Sequence, residues 1–443
     1  MSRTAPRPPA TPPAAHAAGA PADGPPHPPA RTGPYARLPR LAGPWFLPVA
    51  FLGRLPFSML TIGTLLLVTT STGSVALGGL ASAATALGTA LGGPVQGAVA
   101  DRVGQRRVVL ACAPASALAV LGLLAASSVP STPGMLAAAA VVGASVPQVG
   151  PLARVRWLAL AADEPRTLSA AMSYESTADE VSFVLGPALV GVLAAAGSPQ
   201  VPMVVAAALL ATAGTAFALH PTARVAAGPG TAPSAAPGGF GAAWRLVRLE
   251  AVAVVGMVAM GLLFGGTQAA LTALTRDAGS PDLAGLVYAV MGVGSAATAL
   301  AVVALPERWS LAGRWTAFAG GLLLGTAALV GAAATGSVGP VVAVVAVVGL
   351  FVGPVMVTVF TVAGERAPVG RTAAAMTLVA SANVVGVALG ASGAGQLAQG
   401  VSTTASFAVP VVAAALLLAC GVSLTSRPRA GRRPGVDVDA AVR

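Results

Sequence analysis

Twelve runs of apolar residues follow one another along this chain, each of them long enough to cross a bilayer. A membrane helix needs about 20 such residues, and the runs fall near 45–70, 74–97, 108–128, 134–157, 170–196, 201–220, 247–274, 283–304, 315–335, 339–362, 372–396 and 405–424. Backbone polar groups in lipid must be satisfied within the segment itself, so each run is expected to be an α-helix. The fold class that follows is an all-α, polytopic membrane protein with twelve transmembrane helices. Of 443 residues, 55% are hydrophobic and 9% charged, which excludes an ordinary soluble globule.

The runs divide six and six. Residues 45–220 form one expected six-helix bundle and 247–425 a second, with a Pro/Gly/Ala-rich linker at 221–246. Residues 1–44 are rich in proline and alanine and read as a disordered tail. No apolar segment follows their first arginines, so they do not read as a signal peptide. Residues 426–443 form a second polar tail.

Charge supplies the orientation. The formal net charge is +11 and every basic residue is arginine, since the chain contains no lysine. With both termini in the cytoplasm, all arginines except Arg54 and Arg276 fall in the tails, in inward loops or at their edges, as the positive-inside rule requires. The charge is therefore a topology signal for a multi-pass protein of the cell inner membrane, and no nucleic-acid partner is implied. Trp45, Trp157, Trp244, Trp309 and Trp315 all land at cytoplasmic helix ends, where an amphipathic ring is expected to sit in the interface. Arginine in place of lysine, with abundant Ala, Gly, Val and Pro, points to a GC-rich bacterial genome.

The missing lysines remove chemistry as well. A Walker A loop and a Schiff base both need one. Cys112 and Cys420 lie in apolar runs of opposite halves and read as small packing residues. His16, His27 and His220 all lie outside the runs, so a histidine-based metal site or proton relay inside the membrane is not expected. Gly390-Ala-Ser392-Gly-Ala lacks the second glycine of a nucleophile elbow. The chain is not expected to be an enzyme, and no cofactor is implied.

One stretch concentrates glycine, charge and a chain reversal: Gly97-Ala-Val-Ala-Asp101-Arg102-Val-Gly104-Gln-Arg106-Arg107. Gly97 lets a neighbouring helix approach, Gly104 permits a positive φ, and Asp101 is placed to face a helix N-terminus. This stretch resembles the loop between the second and third helices of the major facilitator superfamily, although Gln105 stands where a basic residue is usual. The resemblance covers residues 45–424. It implies two six-helix bundles that rock about a central site, and a cytoplasmic gate that this loop helps close against the start of helix eleven, at Arg371 and Thr372. It also implies that one chain is the working unit.

Other residues stand out against the apolar background. The fifth run carries Glu175, Asp179 and Glu180, followed by Gly186-Pro187 and Gly191. The last three resemble the helix-five kink of the superfamily's antiporter branch, with Ser182 and Val190 in place of two of its glycines. A proline kink alone is the other reading. Counting about 20 residues back from Ala196 puts Asp179 and Glu180 about one turn inside the membrane. Arg54 lies inside the first run, where an unpaired charge costs at least about 2.5 kcal/mol. Its natural partners by depth are Glu175, Asp179 and Glu180. Such a pair fits either proton coupling or a static structural link.

The fourth run retains Gly143 but lacks the arginine usual in the superfamily's fourth helix, and Arg154 and Arg156 at its end read as interfacial anchors. Gln148, Gln268 and Asn383 are candidate substrate contacts, each also readable as a helix-to-helix hydrogen bond. Aromatic residues make up only 4% of the chain, so the cavity is expected to be mostly apolar. The function expected from the resemblance is proton-coupled efflux of an amphipathic drug or secondary metabolite, drawing on the proton gradient. Uptake of a small solute and a non-transporting membrane sensor are the alternatives.

Overall fold

The computed structural model describes residues 33–129, 131–225, 240–280, 283–306 and 308–425. Twelve of its helices are long and apolar enough to cross a membrane. The first six are α1 (Phe46–Thr72), α2 (Ala76–Val103), α3 (Gln105–Ala126), α4 (Thr132–Leu160), α5 (Pro165–Ala196) and α6 (Val201–Leu219). The second six are α7 (Ala251–Asp277), α8 (Leu283–Ala304), α9 (Leu311–Ala334), α10 (Val338–Arg366), α11 (Thr372–Gly400) and α12 (Thr403–Thr425). No strand occurs among the described residues.

Between helices in lipid there is little hydrophobic driving force, so close contact of small residues does the packing. The glycines show where this happens. A Cβ on Gly88 or Gly92 would strike the α4 backbone at Ala140 or Ala144, and one on Gly349 or Gly353 would strike α8. Gly261 and Gly265 face Gly386 and Gly390, which holds α7 and α11 nearly backbone to backbone. Away from these seams the surface is apolar: Leu80, Leu87, Leu91 and Val95 form an exposed stripe along α2. Across the two halves, α2 packs along α11 and α5 along α8.

Four expectations about local structure need correction. The Gly97–Arg107 stretch is only briefly a loop: α2 continues to Val103, Gly104 turns the chain at φ +89, and α3 starts at Gln105. The tail expected at 1–44 contains an amphipathic helix, Pro34–Ala42, with Leu38 and Ala42 buried. Residues 1–32 and 426–443 lie outside the described residues. The linker ends in a further helix, Phe240–Leu249, while 226–239 lie outside the description. Finally, Trp157 and Trp315 are fully buried, unlike exposed Trp45, Trp244 and Trp309. Trp315 donates to the carbonyl of Leu417 at 2.9 Å and so ties α9 to α12.

Helix α4 is broken in the middle. It is helical over Thr132–Ser145 and again over Val149–Leu160, and Pro147, with no N–H to give, sits in the gap. The freed carbonyls find a side chain instead. Gln96 Nε2 on α2 donates to the carbonyl of Ala144 at 3.0 Å and to that of Val146 at 2.9 Å. Irregular backbone at this depth is tolerated because protein groups satisfy it.

Candidate functional site

The longest helix of the N-terminal half, α5, brings its acidic residues to the first helix. Arg54 of α1 is buried, and its guanidinium reaches α5 at three points. Nη2 pairs with Glu175 Oε2, while Nη1 donates to Asp179 Oδ1 at 2.9 Å and to the Glu175 carbonyl at 3.1 Å. The other carboxylate oxygen of Glu175 accepts from Trp157 Nε1 at 2.8 Å. Glu175 is wholly enclosed, whereas the Asp179 side chain keeps 18% of its surface exposed. The pair expected from depth is thus present with Glu175 and Asp179.

Asp179 is shared. Its second oxygen accepts from Arg154 Nη2 at 2.8 Å, so one carboxylate bridges two guanidinium groups. Arg154 was read as an interfacial anchor, and the structure places it fully buried, with its guanidinium 3.8 Å from the centre of the Phe360 ring on α10. The same correction applies to Arg156. It is buried against the Phe217 ring at 3.6 Å and bonded to Gln105 Oε1, the Phe217 carbonyl and Thr222 Oγ1. Burial, and then the nearby Arg156 charge, holds the His220 imidazole below its usual pKa.

Both errors share a cause. Both arginines were placed by their position at the end of the fourth run, whereas α4 is broken at Pro147 and its second part is buried from Val149 to Trp157. The signal was present as Pro147 and Pro151 four residues apart ahead of two arginines. Helix α5 begins at Pro165, so Asp179 lies roughly 21 Å from its start along the axis.

A cavity lies beside this cluster. Its polar wall comes from Arg54, Arg154, Asp179, Gln148 and Asn383, and its apolar wall includes Phe57, Phe183, Met257, Met356 and Phe360. Both halves of the chain contribute. Gln148 and Asn383, two of the residues read as candidate contacts, are among its lining. Gln268 is exposed and absent from the cavity lining.

Glu180 turns the other way. It is buried against α8, where Ser295 Oγ donates to Oε1 at 2.5 Å, and it does not join Arg54. Of the helix-five kink residues, Gly186 sits so close to α1 that a Cβ would strike Ser58, whereas Gly191 has open space around it. Helix α5 stays helical through Pro187.

At the arginine-rich end, Asp101 Oδ1 and Oδ2 accept the backbone N–H groups of Ala373 and Ala374, at 2.9 and 2.8 Å. These N–H groups lie in the first turn of α11, where they have no partner within the helix and the helix dipole favours a carboxylate. Gly97 lies on the same seam, close under Thr377 and the carbonyl of Ala373. Arg102 and Arg107 are exposed and Arg106 is half-buried. The leading helix crosses this end too: the Tyr35 hydroxyl donates to the Leu300 carbonyl of α8, and Arg37 pairs with Glu164 at 3.1 Å.

Comparison with known proteins adds a family. The model described as Major Facilitator Superfamily matches residues 46–369 and also 253–441. No curated protein matches the sequence. Among solved structures, the human organic anion transporter MFSD10 (TETRAN) is similar at TM-score 0.64 and 21% identity, over 86% of this chain and 98% of that one. A bacterial homologue of the iron transporter ferroportin in an outward-facing state gives 0.71 and 15%, over 87% and 99%. The E. coli fucose:proton symporter FucP gives 0.61 and 16%, over 87% and 100%.

Proposed function

The chain belongs to the major facilitator superfamily, and from that premise we propose that it couples proton movement to the passage of an amphipathic small molecule, by alternating access at the central cavity. The observation that carries this reading is Asp179, the partly exposed carboxylate that bridges Arg54 and Arg154 on the cavity wall. A proton on Asp179 loosens both guanidinium groups at once, so protonation changes what the cavity presents to a solute. The mostly apolar opposite wall suits an amphipathic body. In this reading the seam between Asp101 and α11 is the gate at the cytoplasmic end. Both termini are cytoplasmic, and the membrane is the cell inner membrane.

Two directions have support. The Gly186-Pro187 segment, through its likeness to the antiporter branch, supports export of a drug or secondary metabolite against entering protons. The bridge at Asp179 supports cotransport, because a proton there frees cations that a solute can use. Neighbouring folds include a protein described as an organic anion transporter and one described as a proton symporter.

Proteoliposomes carrying an internal pH dye and a panel of amphipathic solutes test this. Solute-driven proton flux that Asp179→Asn abolishes supports the coupling site. Protons moving with the solute select cotransport, and protons moving against it select export. Flux without any proton movement overturns the coupling.

A further inference from the structure

We infer that the polar part of the solute held in the central cavity is an anion of carboxylate type, bound by the unused donors of Arg154. This rests on reading the cavity as the transport site. Arg154 is fully buried, and only one of its three nitrogens is committed to an acidic partner: Nη2 pairs with Asp179 and lies 3.4 Å from Ser176 Oγ. Nε and Nη1 are buried and have no hydrogen-bond partner. A buried guanidinium with two unmet donors is costly to keep. An arriving acceptor that satisfies them is therefore bound with more than ordinary strength.

The surroundings favour an anion over a neutral acceptor or a cation. Phe360 covers one face of the guanidinium, so an acceptor must approach its N–H groups in the guanidinium plane. Gly150 keeps the space beside Nη1 open, since a Cβ there would lie 3.5 Å from Nη1 and 3.0 Å from Asp179 Oδ1. Asn383 on α11 lines the same cavity, and its buried Oδ1 has no partner, so this amide can turn to donate its NH₂ to the same ligand. The charged groups on the wall are Arg54, Arg154 and Asp179. Asp179 already has an arginine on each oxygen and offers little to a cation, whereas a planar carboxylate suits the fork of Arg154. A proton on Asp179 and an anion on Arg154 support each other, so this inference sides with cotransport.

The test uses three ligands with one apolar body: naphthaleneacetate, naphthaleneacetamide and naphthylethylammonium, titrated onto the full chain in nanodiscs. The acetate is expected to bind at least about ten-fold more tightly than the amide, the scale of one charge-assisted hydrogen bond. In Arg154→Gln that preference is expected to vanish while amide binding persists. Because Arg154→Gln leaves Asp179 short of a partner, the double variant Arg154→Gln/Asp179→Asn removes the pair together. Gly150→Ala, which narrows the notch while keeping both charged groups, should weaken acetate more than amide. Equal binding of the three, tightest binding of the cation, no binding of any, or an acetate preference that survives the double variant overturns the inference. The flux assay above reports on transport separately: flux without anion preference defeats only this inference, and anion preference without flux defeats only the transport reading.

Discussion

Asp101 accepts the backbone N–H of Ala373 at 2.9 Å, a hydrogen bond that joins the last turn of α2 to the first turn of α11 and so spans the two halves of the chain. The same carboxylate takes the next N–H, from Ala374. One side chain therefore caps a helix that begins 271 residues further on, at Thr372.

Removing this cap should open the arginine-rich end. A hydrogen bond to a charged group contributes about 1.5–3 kcal/mol, and about 1.4 kcal/mol changes an equilibrium ten-fold. Asp101→Ala is expected to raise the population of open molecules at least about ten-fold. Spin labels near Arg106 and Arg371 would show a longer-distance population; an unchanged distance distribution would contradict the gating role.

Glycines on the seams should tolerate less than those facing open space. A Cβ on Gly97 would lie 2.6 Å from the Ala373 carbonyl oxygen, so Gly97→Leu is expected to abolish transport by forcing α2 from α11. Gly191 meets nothing within 4 Å, and Gly191→Ala is expected to leave rates and melting temperature unchanged. Flux measurements on both variants, with expression and monodispersity checked, decide this contrast.

The two carboxylates on Arg54 should separate stability from transport. Glu175 is enclosed and bound on both oxygens, so Glu175→Gln is expected to cost a few kcal/mol, the scale for breaking a buried pair. Asp179 is partly exposed at the cavity, so Asp179→Asn should melt closer to wild type yet lose proton-linked flux. Thermal melts beside pH-dye flux test the division; equal damage to both properties in both variants would refute it.

Glu250 gives a pH dependence with a definite sign. It lies just before α7, buried, with no hydrogen bond to either carboxylate oxygen. Burial, opposed by the charge of Arg366, raises its pKa from 4.5 to about 7. Between those values the unfolded chain has released its proton while the folded chain keeps it. Stability contributed by this group therefore falls as pH rises from 4.5 to about 7. The loss is at most about 3 kcal/mol, at about 1.4 kcal/mol per ten-fold proton displacement. Melting curves of Glu250→Gln should be flatter across this window; identical pH profiles would count against the assignment.

Much of the architecture was legible beforehand because lipid imposes a local requirement. A helix that satisfies its own backbone announces itself by length and apolarity, and the observed spans differ from the expected ones mainly at their ends. The partnership of Arg54 with Glu175 and Asp179 was legible for a related reason, since a charge in hydrocarbon needs a counterion at its own depth. Glu180 was assigned to the same cluster and is not part of it. Adjacent residues on a helix point about 100° apart, so only one of Asp179 and Glu180 can face α1.

By itself the sequence determined twelve helical spans, a Gly-Asp-Gly seam and the need of Arg54 for an anion, because each depends on a short stretch meeting its own solvent. Only the tertiary structure decided that Arg154 enters the cavity, that Arg156 and Trp157 are buried, and that Gln268 stays outside. Those outcomes depend on the break in α4 at Pro147 and on which helix faces which. Facing is settled by long-range packing of small residues, here Gly88 and Gly92 against Ala140 and Ala144, which the periodicity of a single run does not contain.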